Sequence, residues 1–140
     1  MKKILSLILV TVLLLSCVSV LSSCGMKAKI AGTYEMVSIS GTITQNGKTV
    51  NLDEDLYEYY RLTLNKDGSA LVESKGKNNT SKVEQEAEWD YKDGVIKLKS
   101  VQMGITVVEE MEWNDGVITY EAKESGQGMT VNMKVTLEKK

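Results

Sequence analysis

Apolar and polar residues alternate with a period of two along most of the chain after Ile30. Residues 129–137 show this best, because Met, Val, Met, Val and Leu occupy the odd positions and Thr, Asn, Lys and Thr the even ones. Such alternation is typical of antiparallel strands that have one buried and one solvated face. No long amphipathic helical pattern follows Ile30, so the sequence predicts an all-β domain over residues 30–140.

Turn signals divide this domain into hairpins. An Asn-Gly pair stands at residues 46–47, and Asp-Gly pairs stand at residues 67–68, 93–94 and 115–116. These dipeptides favour tight turns between strands because they tolerate a positive φ angle. The predicted strands are residues 30–40, 60–65, 69–74, 83–91, 95–100, 105–113, 117–122 and 129–137, with short pieces at 42–44 and 49–51. Glu-Trp precedes two of the Asp-Gly turns, at residues 88–89 and 112–113, which indicates a repeated β-meander.

One short helix is predicted over residues 51–60. Asn51 is a suitable N-cap, Glu54 stands three residues later, and Leu52 and Leu56 recur at helical spacing. This helix would lie against the sheet as a lid over one end of a barrel. The tyrosines at positions 57, 59 and 60 would then either contact a ligand or fill the core.

The N-terminal segment has a different pattern. Lys2 and Lys3 precede an apolar run from Ile4 to Leu21, and small polar residues follow. A positive start, an apolar middle and small residues at the end are typical of a secretory signal, so residues 1–23 are expected to be removed. The alternative is an uncleaved membrane helix, because the run approaches the length of a short membrane span.

The residues Leu21, Ser22, Ser23 and Cys24 resemble the lipobox of bacterial lipoproteins. The resemblance implies that the Cys24 thiol carries a diacylglyceryl group, with acyl chains such as palmitate, and that cleavage occurs before it. Two acyl chains suffice for stable anchoring. The protein would sit on the extracytoplasmic face of the cell membrane, with residues 24–29 as a tether. Cys17 is a poorer candidate because Leu15, two positions before it, is too large for the family pattern.

Composition limits the possible chemistry. Loss of Lys2 and Lys3 lowers the 17 basic residues to 15 against 19 acidic ones, a net charge of −4 that argues against nucleic acid as a partner. The chain has no His, which excludes Ser-His-Asp triads and His-based zinc sites. Its two cysteines fall before and at the predicted cleavage point, which excludes a disulfide framework. Residues 53–55 lack the spacing of a calcium loop, and no cofactor or metal is expected.

The order of elements resembles the lipocalin-like domains of bacterial lipoproteins. The strands open with Ile-Ala-Gly-Thr-Tyr at residues 30–34, where the family pattern Gly-x-Trp becomes Gly32, Thr33 and Tyr34. A later apolar strand, residues 62–64, precedes an Asp-Gly turn as in the family. The resemblance implies an antiparallel meander barrel of eight to nine strands with one short helix. A β-sandwich or an open half-barrel remains the alternative.

Extending the alternation inward predicts the lining of such a barrel. Tyr34 and Met36 should share the inner face of the first strand, with Val37 and Ile39 on the other. Glu109 and Gln85 are polar residues among apolar inward neighbours, as expected for groups that orient a ligand in an apolar pocket. The candidate ligand site comprises Tyr34, Met36, Gln85, Trp89, Glu109, Met111, Trp113, Tyr120 and Met133. Alternatively, a β-bulge near Glu109 places that residue in solvent, and the methionines simply fill space.

Two functions fit these observations. The first is a monomeric, membrane-anchored protein that binds a small apolar or amphipathic ligand in its barrel without catalysis. The second is a protein-interaction or inhibitor module at the cell surface with a filled core. A carboxylate-based hydrolase would need two acids converging in a cleft, and no pair in the sequence is singled out for that role.

Overall fold

The computed structural model describes residues 25–140, so the predicted signal segment and Cys24 lie outside the described residues. Residues 25–30 and residues 31–140 belong to two separate units. In the first unit, residues 25–30, which overlap the predicted tether of residues 24–29, are helical. Met, Lys and Ala at positions 26–29 are good helix formers, and no Gly or Pro interrupts them.

The second unit is built from nine antiparallel strands and one 3-10 helix. The strands are β1 (Gly32–Gln45), β2 (Lys48–Leu52), β3 (Tyr57–Leu64), β4 (Ser69–Gly76), β5 (Val83–Lys92), β6 (Val95–Gln102), β7 (Ile105–Asn114), β8 (Val117–Gly126) and β9 (Met129–Lys139). The 3-10 helix covers Glu54–Leu56 between β2 and β3.

The sheet closes on itself through β1. Consecutive strands pair from β3 to β9, β1 pairs with β3, and a further ladder joins β1 to β9. Strands β1 and β3 to β9 therefore form a closed ring of eight, and β2 is an extra strand outside the ring. The predicted lipocalin-like barrel architecture is confirmed. A sandwich or an open half-barrel is excluded because the β1–β9 ladder closes the ring.

The predicted helix over residues 51–60 is wrong in extent. Only Glu54–Leu56 are helical, and Asp53 rather than Asn51 caps them, its Oδ1 accepting a hydrogen bond from the backbone nitrogen of Asp55 at 2.8 Å. The tyrosines belong to β3, which pairs with β4 from Tyr57 to Leu64. A two-turn helix is marginal alone, and aromatic residues favour strands, so pairing with β4 decides the conformation.

At one end of the barrel, called the closed end below, turns and strands are joined around the ring. The carbonyl oxygens of three turn glycines accept hydrogen bonds from later strands: Gly68 from Trp89 N at 2.8 Å, Gly94 from Trp113 N at 2.9 Å, and Gly116 from Lys139 N at 2.9 Å. These are the three Asp-Gly turns of the sequence. The repeated hairpins therefore serve a common purpose, since each turn bonds to the second strand that follows it.

At the opposite end, called the open end below, three of the ladders stop early. The last pairs before the strands separate are Glu35–Arg61 between β1 and β3, Ala87–Ser100 between β5 and β6, and Glu112–Thr119 between β7 and β8. Val83, Ile105 and Met129 continue the inward alternation of their strands at this end and are exposed. The apolar core consequently lies toward the closed end.

Two β-bulges change which residues face the interior. The register shifts between Met36 and Ser38 in β1, and between Tyr57 and Tyr59 in β3. A bulge adds one residue and so reverses the alternation beyond it. Ile39 is therefore buried on the same side as Met36, and Val37 is exposed, which corrects the sequence-based assignment of both to one outer face.

Candidate functional site

Aromatic side chains fill the closed end. Tyr34 is fully buried, and its Oη accepts a hydrogen bond from Trp113 Nε1 at 3.1 Å. Trp89 is also buried, and its Nε1 donates to the carbonyl oxygen of Asn65 at 2.8 Å. Burial raises the pKa of Tyr34 above its ordinary value, an effect that the Trp113 hydrogen bond opposes. The polar atoms of these three rings therefore all have hydrogen-bond partners.

Lys139 adds a cation to the closed end. Its Nζ lies 6.0 Å from the centre of the Tyr34 ring, within the range of a cation–π interaction. Gly32 makes room for it, because a Cβ at position 32 would lie only 2.5 Å from Lys139 Cε. Tyr91 packs edge-on against Trp113 with ring centres 6.0 Å apart. Gly32 on β1 thus allows the Lys139 side chain of β9 to lie near the Tyr34 ring at the closed end.

A cavity of about 80 Å³ lies where the ladders separate. Its walls are thioethers, aliphatic groups and phenols from five strands: Met36, Ile39, Tyr57, Tyr60, Met111, Tyr120, Met133, Val135 and Leu137. Methionine side chains adapt to irregular shapes, so these walls can adjust to an occupant. The combination of apolar walls and a few hydroxyl groups is typical of small-molecule sites.

The two bulges bring together four of the nine residues that line the cavity. Met36 and Ile39 are three residues apart on β1, and Tyr57 and Tyr60 are three residues apart on β3. In a regular strand that spacing places two side chains on opposite faces. With a bulge between them, both members of each pair line the cavity.

Glu109 supplies a carboxylate beside the cavity. Its Oε1 accepts a hydrogen bond from the Oη of Tyr120 at 3.2 Å, and Tyr120 lines the cavity. The β6–β7 ladder runs without interruption from Val95–Glu112 to Gln102–Ile105, so the proposed bulge near Glu109 is wrong. Glu109 therefore shares the inward face of β7 with Met111 and is half-buried.

The surroundings of Tyr60 and Tyr120 disfavour their ionised forms. Burial is the main cause for both, and the charge of Glu109 adds to it, raising the pKa of each to about 12. For Tyr120 the hydrogen bond to Glu109 contributes as well. Both phenols consequently remain neutral hydrogen-bond donors at physiological pH.

The cavity borders the gap between β7 and β8. Backbone pairing between these strands is limited to Glu112–Asn114 with Val117–Thr119. Beyond that point, the Tyr120–Glu109 hydrogen bond connects the two strands through side chains. A side-chain contact of this kind opens at a lower cost in free energy than a backbone ladder does.

Gln85 lies elsewhere, at the separation of β5 and β6. Its Oε1 accepts a hydrogen bond from Gln102 Nε2 at 3.5 Å, across the gap that follows the Ala87–Ser100 pair. It borders an open depression of about 1050 Å³ whose lining also includes Glu84, Glu86 and Glu88. This depression is a wide surface feature with polar and apolar walls, and it shares no lining residue with the apolar cavity.

The structure thus divides the residues predicted from sequence into three groups. Met36, Met111, Tyr120 and Met133 line the cavity, with Glu109 attached through Tyr120. Tyr34, Trp89 and Trp113 belong to the filled closed end, and Gln85 lies at the other opening. Ligand binding by any of them stays a prediction.

The cavity also contains residues that the predicted site omitted. Ile39 was assigned to the outer face and is brought inside by the β1 bulge. Tyr57 and Tyr60 were considered as possible ligand contacts, but on a helix. Tyr59 is not part of the lining, and its ring lies 5.4 Å from Arg61 Cζ. The only sequence signal for this group was the tyrosine cluster itself.

Comparison of the chain with protein-family models, with curated proteins and with solved structures returned no match. Over residues 25–140, no helix has the length and apolar character needed to cross a membrane. The same residues contain no group of three or more carboxylate or thiol side chains arranged to hold a metal ion.

Proposed function

We propose that this chain is a membrane-anchored extracytoplasmic protein that binds a small apolar or amphipathic ligand at the open end of its barrel and performs no catalysis. The observation that carries the proposal is the cavity of about 80 Å³, with apolar walls and a Glu109–Tyr120 hydrogen bond beside it. Three adaptable methionines and a separating β7–β8 edge give a ligand both space and access. The filled closed end provides the rigid support for such a site.

The binding experiment uses methionines as reporters. The processed chain, labelled with ¹³C in its methionine methyl groups, is titrated in lipid nanodiscs with short neutral alcohols such as 2-methylpropan-1-ol. Signals of Met36, Met111 and Met133 should shift saturably, because they line the cavity. The signal of Met103, which is fully exposed at the β6–β7 turn, should not move. Shifts of every methionine together, or of none, would contradict binding in this cavity.

A matched pair of variants ties the signal to the cavity. Val135→Ile adds one methylene to the cavity wall, whereas Val131→Ile makes the same change four residues away on the same face of β9, outside the lining. The first should weaken binding at least several-fold, because one methylene occupies a substantial part of this volume. The second should leave binding unchanged. Native mass spectrometry of the purified chain would additionally reveal a ligand carried over from the cell.

The anchor is tested separately. The proposal rests on the match of Leu21–Cys24 to a lipobox, which predicts that cells incorporate labelled palmitate into the chain and retain it in the membrane fraction. Cys24→Ala should abolish both, whereas Cys17→Ala should change neither. If only Cys17→Ala lost the label, the modified residue would be Cys17 and not Cys24.

A second candidate function, a protein-interaction or inhibitor module, is favoured by the tip of the β6–β7 hairpin. Val101, Met103 and Ile105 are exposed there, and an exposed cluster of apolar residues is a common mark of an interaction site. A photo-crosslinker placed at position 103 in intact cells should then give one discrete adduct. The same group at exposed Lys123 on β8 is the control and should give none.

A further inference from the structure

The two adjacent acids of β7 have different partners. Glu110 faces outward and is exposed, and its Oε1 lies 3.0 Å from Lys97 Nζ. Glu109 faces inward, is half-buried and accepts a hydrogen bond from Tyr120, while no Lys or Arg of residues 25–140 forms an ion pair with it. Of these two acids, Glu109 beside the cavity is therefore the one that lacks a cationic partner within the described part of the protein.

This arrangement leaves Glu109 with capacity for a further donor. An ionised carboxylate has about four lone-pair positions, and one phenol hydroxyl occupies one of them. A partly buried charge is best stabilised by an opposite charge that also donates hydrogen bonds. A ligand placed in the cavity with a cationic end toward Tyr120 would supply such a group.

The cavity walls favour a cation and disfavour an anion. None of the residues that line it carries a positive charge. Tyr57 and Tyr60, whose rings pack edge-to-face with centres 6.3 Å apart, both line the cavity, and the electron-rich rings of tyrosine attract cations. The charge of Glu109 contributes to the raised pKa of both Tyr60 and Tyr120, which indicates that negative potential extends across this region. A carboxylate ligand would be repelled.

The volume limits the apolar part of the ligand. An apolar cavity of about 150 Å³ holds a benzene molecule, whereas one water occupies about 30 Å³ of liquid. The cavity of about 80 Å³ therefore suits a short or branched alkyl group smaller than benzene, before any adjustment of the methionines.

We infer that the site selects small alkylamines, with the ammonium group on Glu109 and Tyr120 and a short or branched alkyl group among Met36, Met111 and Met133. This inference rests on the proposed binding function and deepens it by naming the ligand class. It also assigns Glu109 as the residue that determines specificity.

The test compares three probes with nearly the same shape: 2-methylpropylamine, 2-methylpropan-1-ol and 2-methylpropanoate. Each is titrated into the ¹³C-methionine-labelled chain at neutral pH, where they carry a positive charge, no charge and a negative charge. The amine should bind about tenfold more tightly than the alcohol, because a charge-assisted hydrogen bond is roughly twice as strong as a neutral one. The carboxylate should bind most weakly. Glu109→Gln should remove the preference for the amine, and Glu110→Gln, the matched outward control, should retain it.

The outcomes separate the two proposals. If the alcohol or the carboxylate binds as tightly as the amine, the inference fails while the binding function stands. The same follows if Glu109→Gln preserves the amine preference. If no probe shifts the cavity methionines, both fail. The comparison of probes on the unaltered chain does not depend on how well any variant folds.

Discussion

The closed and open ends of the barrel contain the same strands but are held together differently. At the closed end, the carbonyl groups of Gly68, Gly94 and Gly116 each bond to a strand beyond their own hairpin. At the open end, the comparable link in residues 25–140 is a single bond from Asn46 N to Gly128 O at 3.2 Å. The first end is a continuous ring of hydrogen bonds, and the second divides into separate groups of strands.

The contrast shows how a small barrel can combine a stable core with a candidate ligand site. Core residues such as Trp89 and Ile96 are buried near the closed end, where ladders are complete. The cavity forms beyond the last β7–β8 pair, where backbone pairing no longer constrains the strands. Regions with fewer buried contacts and incomplete ladders open at lower free energy, which suits ligand entry.

The largest expected effect concerns the closed end. Trp89→Ala should lower the free energy of unfolding by about 4 kcal/mol, because it empties a well-packed core position and removes the Nε1 donor to Asn65. Met133→Ala, beside an existing cavity and half-buried, should cost less than about 2 kcal/mol. Urea denaturation measures both. Equal losses would show that the two ends are equally important for stability.

A smaller but still large effect is expected where β1 approaches β9 at the open end. Gly41 has a φ of 126°, and a Cβ there would lie 2.0 Å from the carbonyl oxygen of Asn132. Gly41→Ala should therefore cost about 3 kcal/mol, because a backbone atom rather than a flexible side chain must move. Gly126→Ala, whose Cβ would meet nothing within 4 Å, is the matched control and should change stability little. If Gly41→Ala changed the free energy of unfolding little, the β1–β9 ladder would tolerate distortion at this position.

The third prediction concerns the phenols of the cavity. Ultraviolet titration should find Tyr60 and Tyr120 ionising near pH 12 instead of near 10. Because the folded pKa lies above the unfolded one, the stability that this difference provides is complete below pH 10 and is lost as the pH rises toward 12. Glu109→Gln should lower both pKa values, since it removes a nearby negative charge, whereas Glu110→Gln should not. An unchanged titration in the Glu109 variant would contradict the electrostatic link.

The smallest effect compares two turns of the same kind. Met103 and Asp93 both have a φ near 50°, and both precede a glycine, one at the open end and one at the closed end. Asn tolerates this conformation better than Met, so Met103→Asn should stabilise the fold by about 0.5 kcal/mol. Asp93→Met should have the opposite effect. Thermal denaturation measures both changes, and a destabilising Met103→Asn would show that the Met103 side chain makes a structural contribution.

Prediction from the sequence was most successful where the information was local. Alternation and Asp-Gly turns located the strands from β4 to β9 with differences of a few residues at their ends. The inward positions of Glu109 and Met111 also followed from alternation, because β7 pairs regularly with β6. The site was predicted in part: the methionines, Tyr120 and Glu109 were included, but so were the aromatic residues of the filled end, since alternation does not say how far along the barrel a residue lies.

The sequence by itself determined the all-β character, the positions of the hairpins and the repeated turns that join the closed end, because these depend on preferences within a few neighbouring residues. Only the tertiary structure decided that Tyr57 to Tyr60 form a strand, that bulges turn Ile39 and Tyr57 inward, and where each ladder stops. Those features depend on pairing between segments far apart in the chain, such as β1 with β9. The cavity arises from that pairing, since it forms where distant strands cease to match.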